Sequence, residues 1–238
     1  MTQPNRLPDD RIICALDVPT TAEAARLVET TSDAVSFYKI GLQLFAAGGM
    51  DLARELKADG RKVFLDWKLH DIGATVEKAT AVLANAGCDL LTVHARPQVM
   101  AAAARGAAGS DLKILGVTVL TSLTDDDLKA DDHSLSAAEL VEQRVRQALE
   151  AGIHGVVSSP HEAGRAREIA MAAGREDFLI VTPGVRPAGA ALDDQARAAT
   201  PASALQSGAT HLVIGRPITA VADPRAAAQA ITQEIALV

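Results

Sequence analysis

The chain has 238 residues, enough to bury a sizeable core as one large domain or two small ones. Hydrophobic residues make up 48%, mostly aliphatic and Ala, and aromatics only 3%, which excludes a disordered chain and fits a helix-rich globular one. A formal charge of −7 argues against a nucleic-acid surface, yet a local Arg cluster could still hold a small anion. No apolar run approaches the ~20 residues of a membrane-spanning helix, and the polar opening MTQPNRLPDD lacks the apolar stretch of a secretion signal. Cys14 and Cys88 lie in apolar surroundings without metal-ligand or CxxC spacing and read as buried free thiols. A cytoplasmic protein that meets neither nucleic acid nor membrane is expected.

After a polar N-terminal arm (1–10), short β-branched runs alternate with helical patterns along the chain. RIICALD (11–17) reads as the first strand. Thr20 and Glu23 then match a capping box ahead of the first helix. VSFYKIG (35–41), KVFLDWKL (62–69), LLTVHA (90–95) and KILGVTVL (113–120) are the next four strands. The segment 121–135, TSLTDDDLKADDHSL, is longer and more acidic than the other connections and reads as a loop. A helix follows from the Ser136–Glu139 capping box. The sixth strand is GVVSS (155–159), closed by a third such pair, Ser159–Glu162, with Pro160 at the first helical position. FLIVTPG (178–184) and HLVIG (211–215) complete the set, followed by helices opening at Pro201 and Pro224. Gly60, Gly87, Gly152, Gly174 and Gly208 each stand a few residues before a strand, as helix-terminating glycines do. Eight β/α units in a chain of this length predict one α/β domain over 1–238, a (β/α)8 TIM barrel with its active site at the C-terminal ends of the strands. A doubly wound open sheet is the alternative, but no GxGxxG follows the first strand.

The third strand is unusual. Within VFLDWKLHDIGATV (63–76) stand Asp66, Lys68, His70 and Asp71. Alternation puts Asp66 and Lys68 on one face and Trp67 and Leu69 on the other. By the same parity Lys39 shares a face with Phe37, and Asp17 with Ile13 and Ala15. If these faces point inward at the rim, Asp17, Lys39, Asp66 and Lys68 converge from three adjacent strands, with Asp71 in the loop just beyond. Isolated buried charges cost several kcal/mol, so such groups must alternate in sign and pair, as Lys39, Asp66, Lys68 and Asp71 do. The acidic neighbours favour the ammonium form of Lys68, which suits a reaction that develops negative charge on carbon. A rim salt-bridge network is the plain alternative for one Asp-x-Lys pair, and three contributing strands argue for a site. His70 reads as a hydrogen-bonded structural residue.

The last two strands run into VTPGVRP (181–187) and VIGRPIT (213–219). Loops at these places in barrels often bind phosphate. Gly184 and Gly215 allow a close backbone approach, and Arg186 and Arg216 supply planar cationic donors. The small, polar segment after Arg186 reads as a lid, with Gln195 as an added contact. No His-x-Glu pair or Cys/His cluster has zinc spacing. Asp66 and Asp71 could bind Mg²⁺, but Lys68 competes for the same carboxylates, so neither metal nor cofactor is expected. The residues thus describe a barrel enzyme acting on a phosphorylated small molecule.

Together these segments resemble the orotidine 5′-monophosphate decarboxylase family. The landmarks run in order along nearly the whole chain: ALDVP (15–19), YKIGLQLF (38–45), FLDWKLHDIGAT (64–75), TVHA (92–95), VTVLTSL (117–123), VTPGVRP (181–187), DDQAR (193–197) and VIGRPI (213–218). The resemblance implies cofactor-independent decarboxylation of orotidine 5′-monophosphate to UMP, the last step of de novo pyrimidine nucleotide synthesis. It casts Lys68 as the proton donor to C6 and Asp66 as the carboxylate crowding the substrate carboxylate. Lys39 and Asp17 would reach the ribose. Asp71 and Thr75 match positions that serve the neighbouring subunit's site, which implies a homodimer. Thr121 and Ser122 match the segment that reads the pyrimidine edge, and Arg186, Gln195, Gly215 and Arg216 match the phosphate grip. One departure is local: HDIGAT stands where the family commonly has Pro and Asn, so Gly73 and Ala74 replace them at unchanged spacing. Two rivals share parts of this pattern. One is a related barrel that decarboxylates a keto sugar acid phosphate with Mg²⁺, and the other is a catalytically silent nucleotide sensor.

Overall fold

The computed structural model describes residues 8–187 and 199–238. Its strands are β1 (Ile12–Ala15), β2 (Phe37–Gly41), β3 (Lys62–Leu69), β4 (Leu90–His94), β5 (Lys113–Val117), β6 (Gly155–Val157), β7 (Leu179–Thr182) and β8 (His211–Ile214). Each pairs in parallel with the next, and β8 pairs with β1, so the sheet closes into a barrel. The helices are α1 (Thr21–Thr31), α2 (Leu42–Ala46), α3 (Gly49–Ala58), α4 (Gly73–Ala84), α5 (Pro97–Gly106), α6 (Asp125–Ala130), α7 (Ala137–Glu150), α8 (Pro160–Ala172), α9 (Pro201–Gln206), α10 (Arg216–Thr219) and α11 (Pro224–Ile235). The eight expected strands are all present, most of them shorter at the C-terminal end than the apolar runs suggested. In β1 and β5 the trimmed residues, Asp17 and Val119–Leu120, border the barrel mouth.

Alternation along the strands divides the core in two. Ile13, Phe37, Phe64, Leu90, Leu115, Val181 and Val213 fill the barrel interior. Their neighbours in sequence, such as Tyr38, Leu65, Leu91 and Ile180, pack outward against the helices. Strands thus covered on both faces need near-continuous apolar runs, as the sequence has. The five helix-terminating glycines all take positive φ, from +70° to +112°, where a side chain would strain the turn.

Two local expectations are corrected. Residues 121–135 are not all loop: α6 lies within them, its Thr124–Asp127 capping box reciprocal. Three acids, Asp125–Asp127, fill its first turn, where the helix dipole favours negative charge. At Ser159 the capping box does not close. The Ser159 hydroxyl donates to the Glu162 carboxylate instead of accepting a backbone N–H. The Ser136–Glu139 box forms fully, and at the start of α1 Thr20 accepts from the Glu23 N–H. At the N-terminus residues 1–7 lie outside the described residues, while Asp9 pairs with Arg11 and Asp10 with Lys62.

The N-terminal end of the barrel is closed by packing. Phe37 meets the His211 ring edge-on at 6.2 Å, and the Lys62 ammonium lies 5.8 Å from the Phe37 centroid. Burial pushes the His211 imidazole down to about 4, against an opposing pull from Asp10. In the unfolded chain the same ring titrates near its ordinary value of roughly 6.5. Below that pH the unfolded state takes up a proton that the folded state refuses, so stability falls as pH drops from about 6.5 toward 4. The loss is on the order of 3 kcal/mol at its limit. Thermal melts of His211→Gln across this window are expected to show a flatter pH dependence than the parent; parallel curves would refute the assignment.

Gly73 is the first residue of α4, preceded by Ile72 at φ −59°, ψ 147°. That is the backbone a residue before proline prefers, and a first-turn N–H has no partner within its helix. A Cβ at Gly73 would meet only the Ala102 Cβ, at an ordinary 3.7 Å. Gly73→Pro is therefore expected to raise Tm by about 1–3 °C in calorimetry, by restricting the unfolded chain. A lower Tm would show that Gly73 supplies a conformation proline cannot adopt.

Candidate active site

The site starts from an irregularity in β3. Leu65 pairs with Leu91 and Leu69 with Val93, so Asp66, Trp67 and Lys68 stand across from the single residue Thr92. This is a bulge, and Lys68 within it takes φ +49°. Only one other non-glycine among the described residues, Asp132, has positive φ. Simple alternation therefore fails at Lys68. Its side chain nonetheless reaches the mouth beside Asp66, while Trp67 packs outward against Phe45 with ring centroids 4.3 Å apart.

Four charged side chains form a continuous chain of ion pairs. The Lys39 ammonium lies 2.9 Å from Asp17 Oδ1 and 3.5 Å from Asp66 Oδ2. The Lys68 ammonium donates to Asp66 Oδ1 at 2.9 Å. The Thr92 hydroxyl donates to the same oxygen at 2.9 Å and accepts the Lys68 backbone N–H at 3.0 Å. Burial pushes the Asp66 carboxyl up, but Lys39, Lys68 and the Thr92 hydroxyl outweigh it and hold the group below the usual carboxylate range. Lys39 is buried, Asp66 and Lys68 are half-buried, and Asp17 is exposed, so the array grades from the barrel interior to water. Beside it the rings of His70 and His94 lie 4.9 Å apart. Burial, then His70 and Lys68, hold His94 below the ordinary imidazole range.

The array lines a cavity of about 470 Å³ at the C-terminal end of the barrel. Arg186 and Arg216 line the same cavity from the β7 and β8 side, together with Gly184, Gly215 and Thr121. Gly184 takes φ +78° and so must be free of a side chain. Gly215 has negative φ, and a Cβ there would make ordinary contacts with Ala15 and Asp17. Arg186 is buried, with its N–H bonded to the Ala199 carbonyl and its guanidinium to that of Val185. Val117, Val157 and Val213 form an apolar floor.

The structure does not gather every residue expected at the site. Asp71 is exposed and outside the cavity lining, and its carboxylate accepts its neighbour Ile72's N–H at 2.6 Å. Within one chain it does not join the Lys39–Asp66–Lys68 array. Thr75 and Ser122 are likewise exposed and outside the lining. Gln195 lies outside the described residues. Thr92 is the residue that the sequence reading missed. Its signal was parity: with Leu90 inside the barrel, Thr92 points inward beside the charged strand. Among the described residues no group of three or more His, Cys, Asp or Glu is placed to hold a metal ion.

A family model described as "Orotidine 5'-phosphate decarboxylase / HUMPS family" matches residues 10–231. An orotidine 5′-phosphate decarboxylase of Caulobacter vibrioides (strain NA1000 / CB15N) is 64% identical over 228 residues, 96% of this chain and 98% of that one. One from Afipia carboxidovorans is 52% identical over 237 residues, 100% of this chain and 99% of that one. The crystal structure of orotidine 5′-phosphate decarboxylase from Lactobacillus acidophilus superposes with a TM-score of 0.81 at 36% identity, covering 95% of this chain and 99% of that one. With a closed barrel, a paired Lys–Asp array and two arginines around one cavity, and matches of this extent, the chain belongs to the orotidine 5′-phosphate decarboxylase / HUMPS family.

Proposed function

We propose that this protein decarboxylates orotidine 5′-monophosphate to UMP in pyrimidine nucleotide synthesis, without metal or cofactor. The observation that carries the reading is the Asp17–Lys39–Asp66–Lys68 chain of ion pairs in the same cavity as Arg186 and Arg216. The arginines take the phosphate, joined by Gln195 and the Gly215 backbone. Asp17 and Lys39 take the ribose hydroxyls. Thr121 and Ser122 read the pyrimidine edge, and the substrate carboxylate sits against Asp66. When the C6–carboxylate bond breaks, its electron pair stays on C6 and CO₂ leaves. The Lys68 ammonium stabilises that carbanion and then transfers a proton to it, and solvent restores the proton to the amine. Against very slow reference reactions enzymes supply ~20 kcal/mol or more. One ammonium cannot provide that, so the phosphate grip, remote from C6, must help hold the substrate against Asp66.

The array supports a metal-free reaction through its chemistry. Asp66 Oδ1 already accepts from Lys68 and Thr92, and Oδ2 faces the Lys39 ammonium at 3.5 Å, so two cations already balance the carboxylate that a metal ion would need. The free, buried Cys14 and Cys88 fit a reducing cytoplasm. No helix among the described residues is long and apolar enough to cross a membrane.

The test is loss of orotidine 5′-monophosphate absorbance in EDTA, with UMP identified as product. Lys68→Ala is expected to lower kcat at least about 1,000-fold while UMP binding changes little. Arg216→Ala is expected to lower kcat/KM by about 10–100-fold, the worth of a charged hydrogen bond. Turnover that requires Mg²⁺ and a keto sugar acid phosphate would replace the reading with the first rival. UMP binding without turnover would leave a sensor.

A homodimer completes the proposal, with Asp71 and Thr75 serving the neighbouring site. Its support is the apolar surface beside them: Leu42, Phe45 and Ile72 are 55%, 49% and 72% exposed, at the ends of β2 and β3. Mixing inactive Lys68→Ala and Asp71→Ala proteins is expected to restore about a quarter of parental activity. Half the dimers would be mixed, each with one intact site. No recovery on mixing, or full activity of Asp71→Ala alone, would place Asp71 outside the neighbour's site.

A further inference from the structure

We propose that Thr92 is a positioning residue for Lys68: its hydroxyl fixes the bulge of β3 that aims the reacting ammonium. The inference rests on the reading of Lys68 as proton donor. Lys68 has left-handed backbone, which is unfavourable for an L-residue and persists only where its surroundings hold it. The bulge also removes regular ladder partners between Leu65 and Leu69. Thr92 occupies that gap. It is fully buried, and its one hydroxyl serves both defects.

The direction of each bond follows from the groups. The Lys68 backbone N–H can only donate and an ionised Asp66 can only accept, so the hydroxyl accepts from the first at 3.0 Å and donates to the second at 2.9 Å. The Lys68 ammonium donates to that same Asp66 oxygen at 2.9 Å. A closed ring results, running from the Lys68 N–H through Thr92 Oγ1 and Asp66 Oδ1 back to Lys68 Nζ. Both ends of the lysine are tied to one carboxylate oxygen, its backbone through the hydroxyl and its ammonium directly. Without the hydroxyl the side chain of Lys68 keeps its charge but loses the anchor of its backbone, and a misplacement of about 1 Å can cost roughly 100-fold in rate.

The test is Thr92→Val, which keeps shape and branching and removes both hydrogen bonds. kcat is expected to fall about 10–100-fold while KM and UMP affinity stay within about threefold, and Thr92→Ser is expected to restore most of the loss. Wild-type kcat in Thr92→Val would overturn the inference. So would a loss of kcat matched by an equal loss of UMP affinity, or one that Ser does not rescue, since either marks a purely structural role. Should Thr92→Val fail to fold, Thr92→Ala serves instead: it also removes both hydrogen bonds, and an unchanged kcat would be equally decisive. Lys68→Ala is assayed alongside. If it keeps turnover, the reading of Lys68 falls; if it is inactive while Thr92→Val is wild type, only the role of Thr92 falls.

Discussion

One carboxylate organises the barrel mouth. Asp66 lies between two ammonium groups, Lys39 at 3.5 Å and Lys68 at 2.9 Å, each on a different oxygen. Without it the two ammonium groups would face each other with their repulsion unscreened, and buried Lys39 would keep only Asp17 as a counter-charge. The carboxylate in turn stays ionised because both cations and a hydroxyl outweigh its burial. Such networks are stable only when every member is satisfied, so the position of each group constrains the others. A substrate carboxylate entering this cavity would meet a negative group that its own cations already claim.

The barrel supplies the frame for this arrangement. Its interior is apolar, built from side chains such as Phe37, Phe64 and Leu115, and the valine floor of the cavity continues it. At its C-terminal mouth the charged groups grade from shielded Lys39 to Asp17, which meets water. The parallel register places Gly41 opposite Asp66 and Ala15 opposite Lys39, which brings three strands' charges to one level. A Cβ on Gly41 would stand only 3.0 Å from Asp17 Oδ1 and 3.1 Å from the Lys39 ammonium, so the absence of a side chain there keeps room for the pair. The two arginines reach the cavity from the strands on the other side of β1, after β7 and β8. Closure of the sheet is what makes the first and last strands neighbours.

The fold was legible because periodicity and punctuation agreed: eight β-branched runs, capping residues before helices, and glycines after them. The charged rim was legible because ionisable residues in an apolar strand demand partners, and the partners could be found by parity in the neighbouring runs. What escaped had weaker or conflicting signals. Thr92 is a common strand residue, and nothing in LLTVHA advertises a hydroxyl in use. The bulge at Asp66–Lys68 arises from how β3 and β4 pair, and pairing is not written in either strand alone. α6 was hidden because TDDD resembles a solvated loop, and its cap uses Asp127 where the usual signature has Glu or Gln. Asp71 and Thr75 lie away from this chain's cavity, so their expected roles come from family resemblance.

Trp67, the chain's single tryptophan, follows from the bulge in a different way. It stands between Asp66 and Lys68 in sequence, is buried with its indole N–H without a hydrogen-bond partner among the described residues, and packs at a tilt against the half-exposed Phe45. Emission excited in the indole band therefore has one origin, next to the charged array on one side and the apolar surface on the other. The protein carries its own optical probe at the point where the charged array and the surface proposed to receive a second copy meet. No label is needed to observe either one in solution.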